Sequence, residues 1–446
     1  MTAAAPTPSF GWLGILRLGL VQASLGSVVV LVTSTLNRVM VVEYTLPALL
    51  PGVLVAMHYA IQMIRPKFGH GSDRGGRRTP WIVGGMALLC VGGVICSIAT
   101  ALMGRHLYMA VALAVTGYAA VGLGVGAAGT SLLVLLAKQV DERRRAAAAT
   151  VVWILMIAGF AITSILVGHF LDPFSPQRLV RVVSAAAATA FIVSVAALWK
   201  VEKTDVALAT AARRPGEAGA VGPFSWALRQ VWSEPPVRRF TLFVFVSMLA
   251  YSAQELLLEP FCGLVFGYSV GASATLSGVW HASALAGMIA VGIACSGTRR
   301  LGSLRGWTLG GCCASAAALV SLAGAAVVGP AWPLRLSVMA LGVANGMFAV
   351  AAIGSMMELA AHGESRNAGV RMGLWGAAQA VAFALGGFMG TAIVDGLRWW
   401  LGSPAVAFVF VFIIEAALFI AAAHLAARVE STGRQRSASN LPAVTI

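Results

Sequence analysis

Two histidines in this chain could bind a metal, and both sit in apolar stretches where ionisable residues are scarce. His58 lies eleven positions before Gly69, and His281 lies eleven positions before Gly292. A neutral imidazole offers a ring nitrogen to a metal, including one held at the centre of a macrocycle. The same ring can instead hydrogen-bond a neighbouring helix, and the residue types leave both roles open. A second group is Gln254, Glu255 and Glu259 in AQELLLEPF, matched by Arg38 and Glu43 in LNRVMVVEYTLP. These five suit either an ion bridge that closes one end of a helical bundle or a solvated interfacial face. Glu415 stands in the middle of FVFVFIIEAALFIAAAH. It suits either proton linkage or a contact with another protein. Glu358, near the end of its apolar run, suits pairing with basic loops.

Such residues need elements to position them, and composition decides which. The chain is 59% hydrophobic and 11% charged. A soluble domain carries roughly 25% charged residues, so this chain cannot cover itself with a water-facing surface. It belongs in a bilayer. Its apolar runs are continuous rather than alternating, which predicts helices and excludes a β-barrel. The N-terminal run lacks a basic leader and reads as an uncleaved first span. The six cysteines show no C-x-x-C spacing and read as free thiols packed as small hydrophobes.

The apolar runs predict spans at 12–40, 46–67, 81–102, 107–137, 146–168, 179–199, 240–264, 272–296, 306–328, 334–360, 371–394 and 404–426. That is an N-terminal six-helix half (1–199), a polar linker (200–239), a C-terminal six-helix half (240–427) and a tail (428–446) that reads as disordered. Place the N-terminus in the cytoplasm, and all 31 Lys and Arg residues except Arg38, Arg105, Arg178, Arg181, Arg335 and Arg398 become cytoplasmic. That bias puts both termini inside. It also explains the net charge of +15 without nucleic acid.

The halves repeat weakly. The His58–Gly69 spacing recurs as His281–Gly292, and Trp81-x-x-Gly84-Gly85 recurs as Trp307-x-x-Gly310-Gly311. Eleven helical residues span about 16 Å, which sets both histidines near the middle of a roughly 30 Å core. Two parallel six-helix halves are the pattern of the major facilitator superfamily. The loop FGHGSDRGGRRTPW, with Gly69, Asp73, Arg74, Gly76, Arg77 and Arg78, resembles that superfamily's signature between helices 2 and 3. Glycine allows the tight reversal, Asp73 can cap a helix or pair with an arginine, and the arginines hold the anionic leaflet. The second-half counterpart, GIACSGTRRLGSLR, lacks the acid. Gly117, Gly122, Gly124, Gly126 and Gly129 in helix 4 let either another backbone or a flat ring approach closely.

Two long segments carry a narrower resemblance. They are LNRVMVVEYTLPALLPGVLVAMHYAIQMIRPKFGHGSDRGGRRTPWIVGG and AQELLLEPFCGLVFGYSVGASATLSGVWHASALAGM, supported by LWGAAQAVAFALGGFMG. They resemble the PucC/LhaA family of phototrophic bacteria, also called a bacteriochlorophyll delivery family. The resemblance implies an assembly factor for light-harvesting complexes that holds or delivers bacteriochlorophyll for LH1 or LH2. It implies antenna polypeptides as partners, together with pigment-synthesis enzymes and the reaction-centre complex. It also implies an intracytoplasmic photosynthetic membrane as the location. His58 and His281 are then the candidate pigment ligands. The competing reading is a secondary transporter of a small solute or pigment precursor, resting on Arg38, Glu43, Gln254, Glu255 and Asn345. An enzyme is not expected. Prenyl transfer needs clustered acids to hold Mg²⁺ and a diphosphate, and the only adjacent acidic pair is Asp141-Glu142 in a loop.

Overall fold

The structure is a computed structural model that describes residues 10–64, 77–140, 144–201, 229, 232–296, 301–361 and 368–439. The described residues are helical and contain no strand. The helices are α1 (Trp12–Glu43), α2 (Leu49–Ile64), α3 (Thr79–Leu102), α4 (Leu107–Gln139), α5 (Arg145–Leu171) and α6 (Pro176–Leu198). They continue with α7 (Pro235–Phe266), α8 (Val270–Ser296), α9 (Leu304–Val328), α10 (Leu334–Ala361), α11 (Ala368–Leu401) and α12 (Pro404–Ser439). Among them, 11 are long and apolar enough to cross a membrane, and α2 is a shorter apolar helix. The chain is a multi-pass membrane protein of the expected all-helical class.

Two boundaries depart from the sequence expectation. Helix α7 begins at Pro235, inside the stretch read as linker, because proline is well placed in the first turn of a helix. Helix α12 runs on to Ser439, through the tail expected to be disordered. Extending a formed helix is far cheaper than nucleating one, so a polar sequence can continue a helix that an apolar span has started.

The chain divides into two compact units. Unit 1 is Met1–Arg213 with Gly267–Ala282, and unit 2 is Arg214–Phe266 with Ser283–Ile446. Helix α8 is shared between them.

In unit 1, α3 and α4 pack backbone to backbone. A Cβ on Gly124 would lie 2.6 Å from Leu89 N and 2.7 Å from Gly85 O. Helix α1 lies along α5, where a Cβ on Gly159 would meet Ala23 O at 2.5 Å. Arg17 ties α1 to the end of α6. Its Nε donates to Ala197 O at 2.9 Å and its Nη2 to Trp199 O. A cation there meets carbonyls that a helix C-terminus leaves unpaired. In unit 2, a Cβ on Gly311 of α9 would meet Phe348 N of α10 at 2.6 Å. Trp375 of α11 is buried with its ring 5.0 Å from that of Phe240 of α7. The cysteines are free, and the vicinal pair splits, Cys312 buried and Cys313 exposed.

Replacing Gly124 by leucine is expected to cost about 1–3 kcal/mol through overpacking. The reading is a lower thermal midpoint of the detergent-purified protein. Gly84→Ala, where nothing lies within 4 Å of the new Cβ, should leave the midpoint unchanged. Equal midpoints for the two variants would disprove the close α3–α4 contact.

Candidate functional site

Helix α8 starts immediately after Ser269, and its first turn is capped by two side chains. Ser269 Oγ accepts from Ala272 N at 3.1 Å. Asp172, just past the end of α5, accepts from Gly271 N at 3.1 Å through Oδ1 and from Ser269 Oγ at 2.6 Å through Oδ2. A carboxylate at a helix N-terminus satisfies orphan N–H groups and faces the positive end of the helix dipole. Small residues then let α8 descend along α5. A Cβ on Gly278 would lie 2.5 Å from Ile165 Cγ1 and 3.0 Å from Ala161 O. One turn further down, His281 meets Phe160.

His281 is 1% exposed. Its ring centroid lies 5.0 Å from that of Phe160, edge-on, and 4.7 Å from that of Trp280. Among the described residues, neither ring nitrogen has a hydrogen-bond partner. A buried polar group left in that state costs free energy and calls for an explanation. This unit also buries Thr35 Oγ1, Ser131 Oγ and Ser164 Oγ without partners among the described residues. Ser164 is on α5, one turn beyond Phe160.

His58 is buried as deeply but is held differently. Its Nε2 lies 2.8 Å from Nε2 of Gln62, the next turn of α2. An amide NH₂ can only donate, so the imidazole Nε2 is the acceptor there, and the lone pair a metal would need is occupied. The ring also stands 4.9 Å from that of Tyr59. A Cβ on Gly122 of α4 would come within 2.8 Å of His58 O. Three glycines of α4 thus bring backbones together, Gly117 and Gly124 against α3 and Gly122 against α2, whereas a Cβ on Gly129 would meet only Leu25 Cδ1 at 3.8 Å. The two histidines match in sequence but not in chemistry.

Arg38 is the third feature of unit 1. Its guanidinium is 1% exposed and reaches three partners: Glu43 Oε1 at 2.6 Å, Tyr268 O at 2.5 Å and Ser273 Oγ at 3.2 Å. The arginine therefore joins α1 to the start of α8, the same helix end that Asp172 caps from α5. Two π-helical turns, Leu31–Thr35 and Val39–Glu43, flank it. Each widens the helix and disturbs the regular bonding of nearby carbonyls. One of them, Val32 O, accepts from the buried Tyr118 hydroxyl of α4 at 2.9 Å. The sequence reading missed these turns. The signal was present in the polar run Thr33, Ser34, Thr35, Asn37, Arg38, all buried within an apolar helix.

Gln254, Glu255 and Glu259 belong to unit 2 and are buried, so a solvated face is excluded for them. Arg77 and Arg78 precede α3, and Arg78 O accepts from Ile82 N at 3.1 Å. Gly69, Asp73, Arg74 and Gly76 lie outside the described residues, as does the Asp141-Glu142 pair. The backbone of Glu358 lies in α10, and its side chain is not among those described. Among the described residues, no group of three or more His, Cys, Asp or Glu side chains could hold a metal ion.

Comparison with known proteins adds two findings. The model of the PUCC protein family matches residues 35–433. The "Bacteriochlorophyll synthase 44.5 kDa chain" of Rhodobacter capsulatus is 47% identical over 98% of this chain and 99% of its own. "Protein PucC" of the same organism is 27% identical over 92% of this chain and 90% of its own. Among solved structures, a D-xylose-proton symporter superposes with a TM-score of 0.70 at 14% identity, covering 93% of this chain and 97% of its own. The nucleoside transporter NupG gives 0.66 at 12% identity, covering 93% and 99%. These structural likenesses establish a major-facilitator-type fold and nothing about cargo.

Loss of the Asp172 cap should destabilise the start of α8. Asp172→Ala is expected to cost about 1–2 kcal/mol and to speed backbone hydrogen exchange at Gly271 and Ala272. Unchanged exchange at both amides would show that the carboxylate does not hold this helix end.

Proposed function

Because the chain belongs to the PUCC protein family, we propose that it is a light-harvesting assembly factor that holds bacteriochlorophyll and passes it to LH1 or LH2 polypeptides. The observation that carries this reading is His281. A buried imidazole whose nitrogens have no partner among the described residues, lined by aromatic rings, would suit a ligand to the metal of a chlorin. When bound, the pigment supplies the coordinating metal and a large apolar surface. The protein supplies the nitrogen, the apolar wall and the exclusion of water. Phe160, edge-on to the imidazole, forms part of that wall. His58 takes a structural part, since its Nε2 is engaged by Gln62.

The role is non-enzymatic in this reading. One relative bears the name of a bacteriochlorophyll synthase chain. A pigment-holding subunit beside a synthase would fit that name without chemistry of its own. The location would be the intracytoplasmic photosynthetic membrane, with both termini in the cytoplasm. Antenna polypeptides would be the clients, and pigment-synthesis enzymes and the reaction-centre complex would be neighbours. The alternative is a secondary transporter of a small solute or pigment precursor, resting on the polar residues Arg38, Glu43, Gln254, Glu255 and Asn345.

The test is an absorption spectrum of the tagged protein, purified in mild detergent from phototrophic membranes, with antenna polypeptides scored in the same sample. Bound bacteriochlorophyll should survive removal of antenna. His281→Ala should lower it about tenfold or more, since a lost bond worth only about 1.4 kcal/mol has that effect. His58→Ala should retain most of it. Unchanged pigment and antenna yield in both single variants and the double variant would remove the histidine ligand. A colourless, partner-free protein would move the weight to transport.

A further inference from the structure

Unit 2 contains its own unpartnered buried group, and it is an acid. Glu415 lies near the middle of the apolar span Pro404–Arg428 of α12 and is 2% exposed. Among the described residues, neither carboxyl oxygen has a hydrogen-bond partner. Burial of this degree excludes the reading of Glu415 as a contact for another protein. Its polar neighbour is Gln254 of α7, which lies beside the carboxyl without making a hydrogen bond to either oxygen.

Gln254 is the end of a buried chain of side chains on three helices. Ser315 Oγ of α9 donates to Asn345 Oδ1 of α10 at 2.8 Å. Asn345 Nδ2 donates to Gln254 Oε1, also at 2.8 Å. The Gln254 NH₂ is poorly used, with one long bond of 3.3 Å to Ala250 O in its own helix. A donor is therefore held in reserve beside an acid that has none.

No cation neutralises Glu415 among the described residues. On α7, Arg239 is at the helix start and donates to Arg428 O, Glu255 lies beside Tyr251, and Glu259 is buried further along. On α9, Arg305 donates to Ala427 O, and Cys312 is a buried thiol. On α10, Arg335 lies in the first turn. On α11, Asp395 and Arg398 pair at 3.8 Å near the helix end. On α12, His424 is exposed. Of these polar and charged groups, the Gln254 amide is the one placed beside the Glu415 carboxyl. An ionised carboxylate in such a place is expensive without a donor, and intramembrane acids are retained for function.

From this arrangement we infer that Glu415 is a proton-binding site, coupled through Gln254 to the helices of unit 2. With the proton bound, the carboxyl is neutral and Gln254 keeps its bond to Ala250. When the proton leaves to solvent, the Gln254 amide turns to donate to the carboxylate. That turn changes the bond Gln254 accepts from Asn345, and through Asn345 the bond from Ser315. Helices α7, α9, α10 and α12 all feel the change. Helix α7 is able to respond, because Pro260 removes one of its intrahelical bonds six residues further along.

The test is pH-difference infrared spectroscopy of the full chain in lipid nanodiscs, paired with hydrogen exchange along α7. A protonated-carboxyl band should fall as pH rises and be absent in Glu415→Gln. Exchange in α7 should change over the same pH interval in the unaltered protein and stay flat in Glu415→Gln. Gln254→Leu, which leaves the acid in place, should keep the band and lose the exchange response. It also keeps the test open if Glu415→Gln does not fold. Absence of a titrating band that depends on Glu415 overturns the site. A titrating band with an unresponsive α7 overturns the coupling.

Discussion

Hydrocarbon offers a peptide backbone no hydrogen bonds, and much of this structure follows from that constraint. Every spanning N–H and C=O must be satisfied within the protein. Regular helices meet this demand themselves, so what distinguishes the chain is its treatment of the exceptions. At the π-helical turn of α1, the Tyr118 hydroxyl serves Val32 O. At the start of α8, Asp172 and Ser269 serve the first N–H groups. At the end of α6, Arg17 serves two carbonyls. Buried hydroxyls such as Thr33, Thr100, Ser194 and Thr391 bond carbonyls one turn back and so hide their own polarity.

Against that background, a polar group left without a partner is informative. Arg38 is charged and buried, Asp172 is charged and exposed, and each is committed to named acceptors or donors. Their contacts explain their presence, and no ligand needs to be invoked for them. His281 and Glu415 are the opposite case. Each is almost wholly buried, and each has hydrogen-bonding atoms that no described residue meets. Maintaining such groups costs stability that an apolar side chain of similar size would not. A structural role therefore explains the first pair and fails to explain the second.

The fold was legible in the sequence because hydrocarbon-spanning helices need length and continuous apolarity, and both are visible without contacts. Span limits such as 107–137 against Leu107–Gln139, and 272–296 against Val270–Ser296, agree for that reason. The site was legible only in part. The repeat marked His58 and His281 as a matched pair, but a repeat reports helix position rather than side-chain partners. Gln62 stands one turn from His58 and engages it. The residue one turn from His281 towards the C-terminus is Leu285, whose apolar side chain has no hydrogen to donate. Asp172 was passed over because a loop acid has no periodicity to betray it. The grouping of Arg38 with Gln254, Glu255 and Glu259 joined residues that belong to different compact units.

The transporter-like fold and the pigment reading make different demands on the same bundle. A solute transporter needs polar groups exposed in turn to water on either side. A holder of a large apolar ring needs a dry wall and one ligating atom. Helix α1 shows how one helix can carry polarity without an aqueous path, since its run from Thr33 to Arg38 is almost fully buried. The α5–α8 contact makes the same point through Gly278, whose missing side chain keeps Phe160 and His281 within ring contact. A bulkier residue at Gly278 would push α8 away from α5 and open the wall around the imidazole. The glycine and the histidine are thus parts of one arrangement. The close helix contact sets the depth and packing of the ring, and that packing leaves its nitrogens dry.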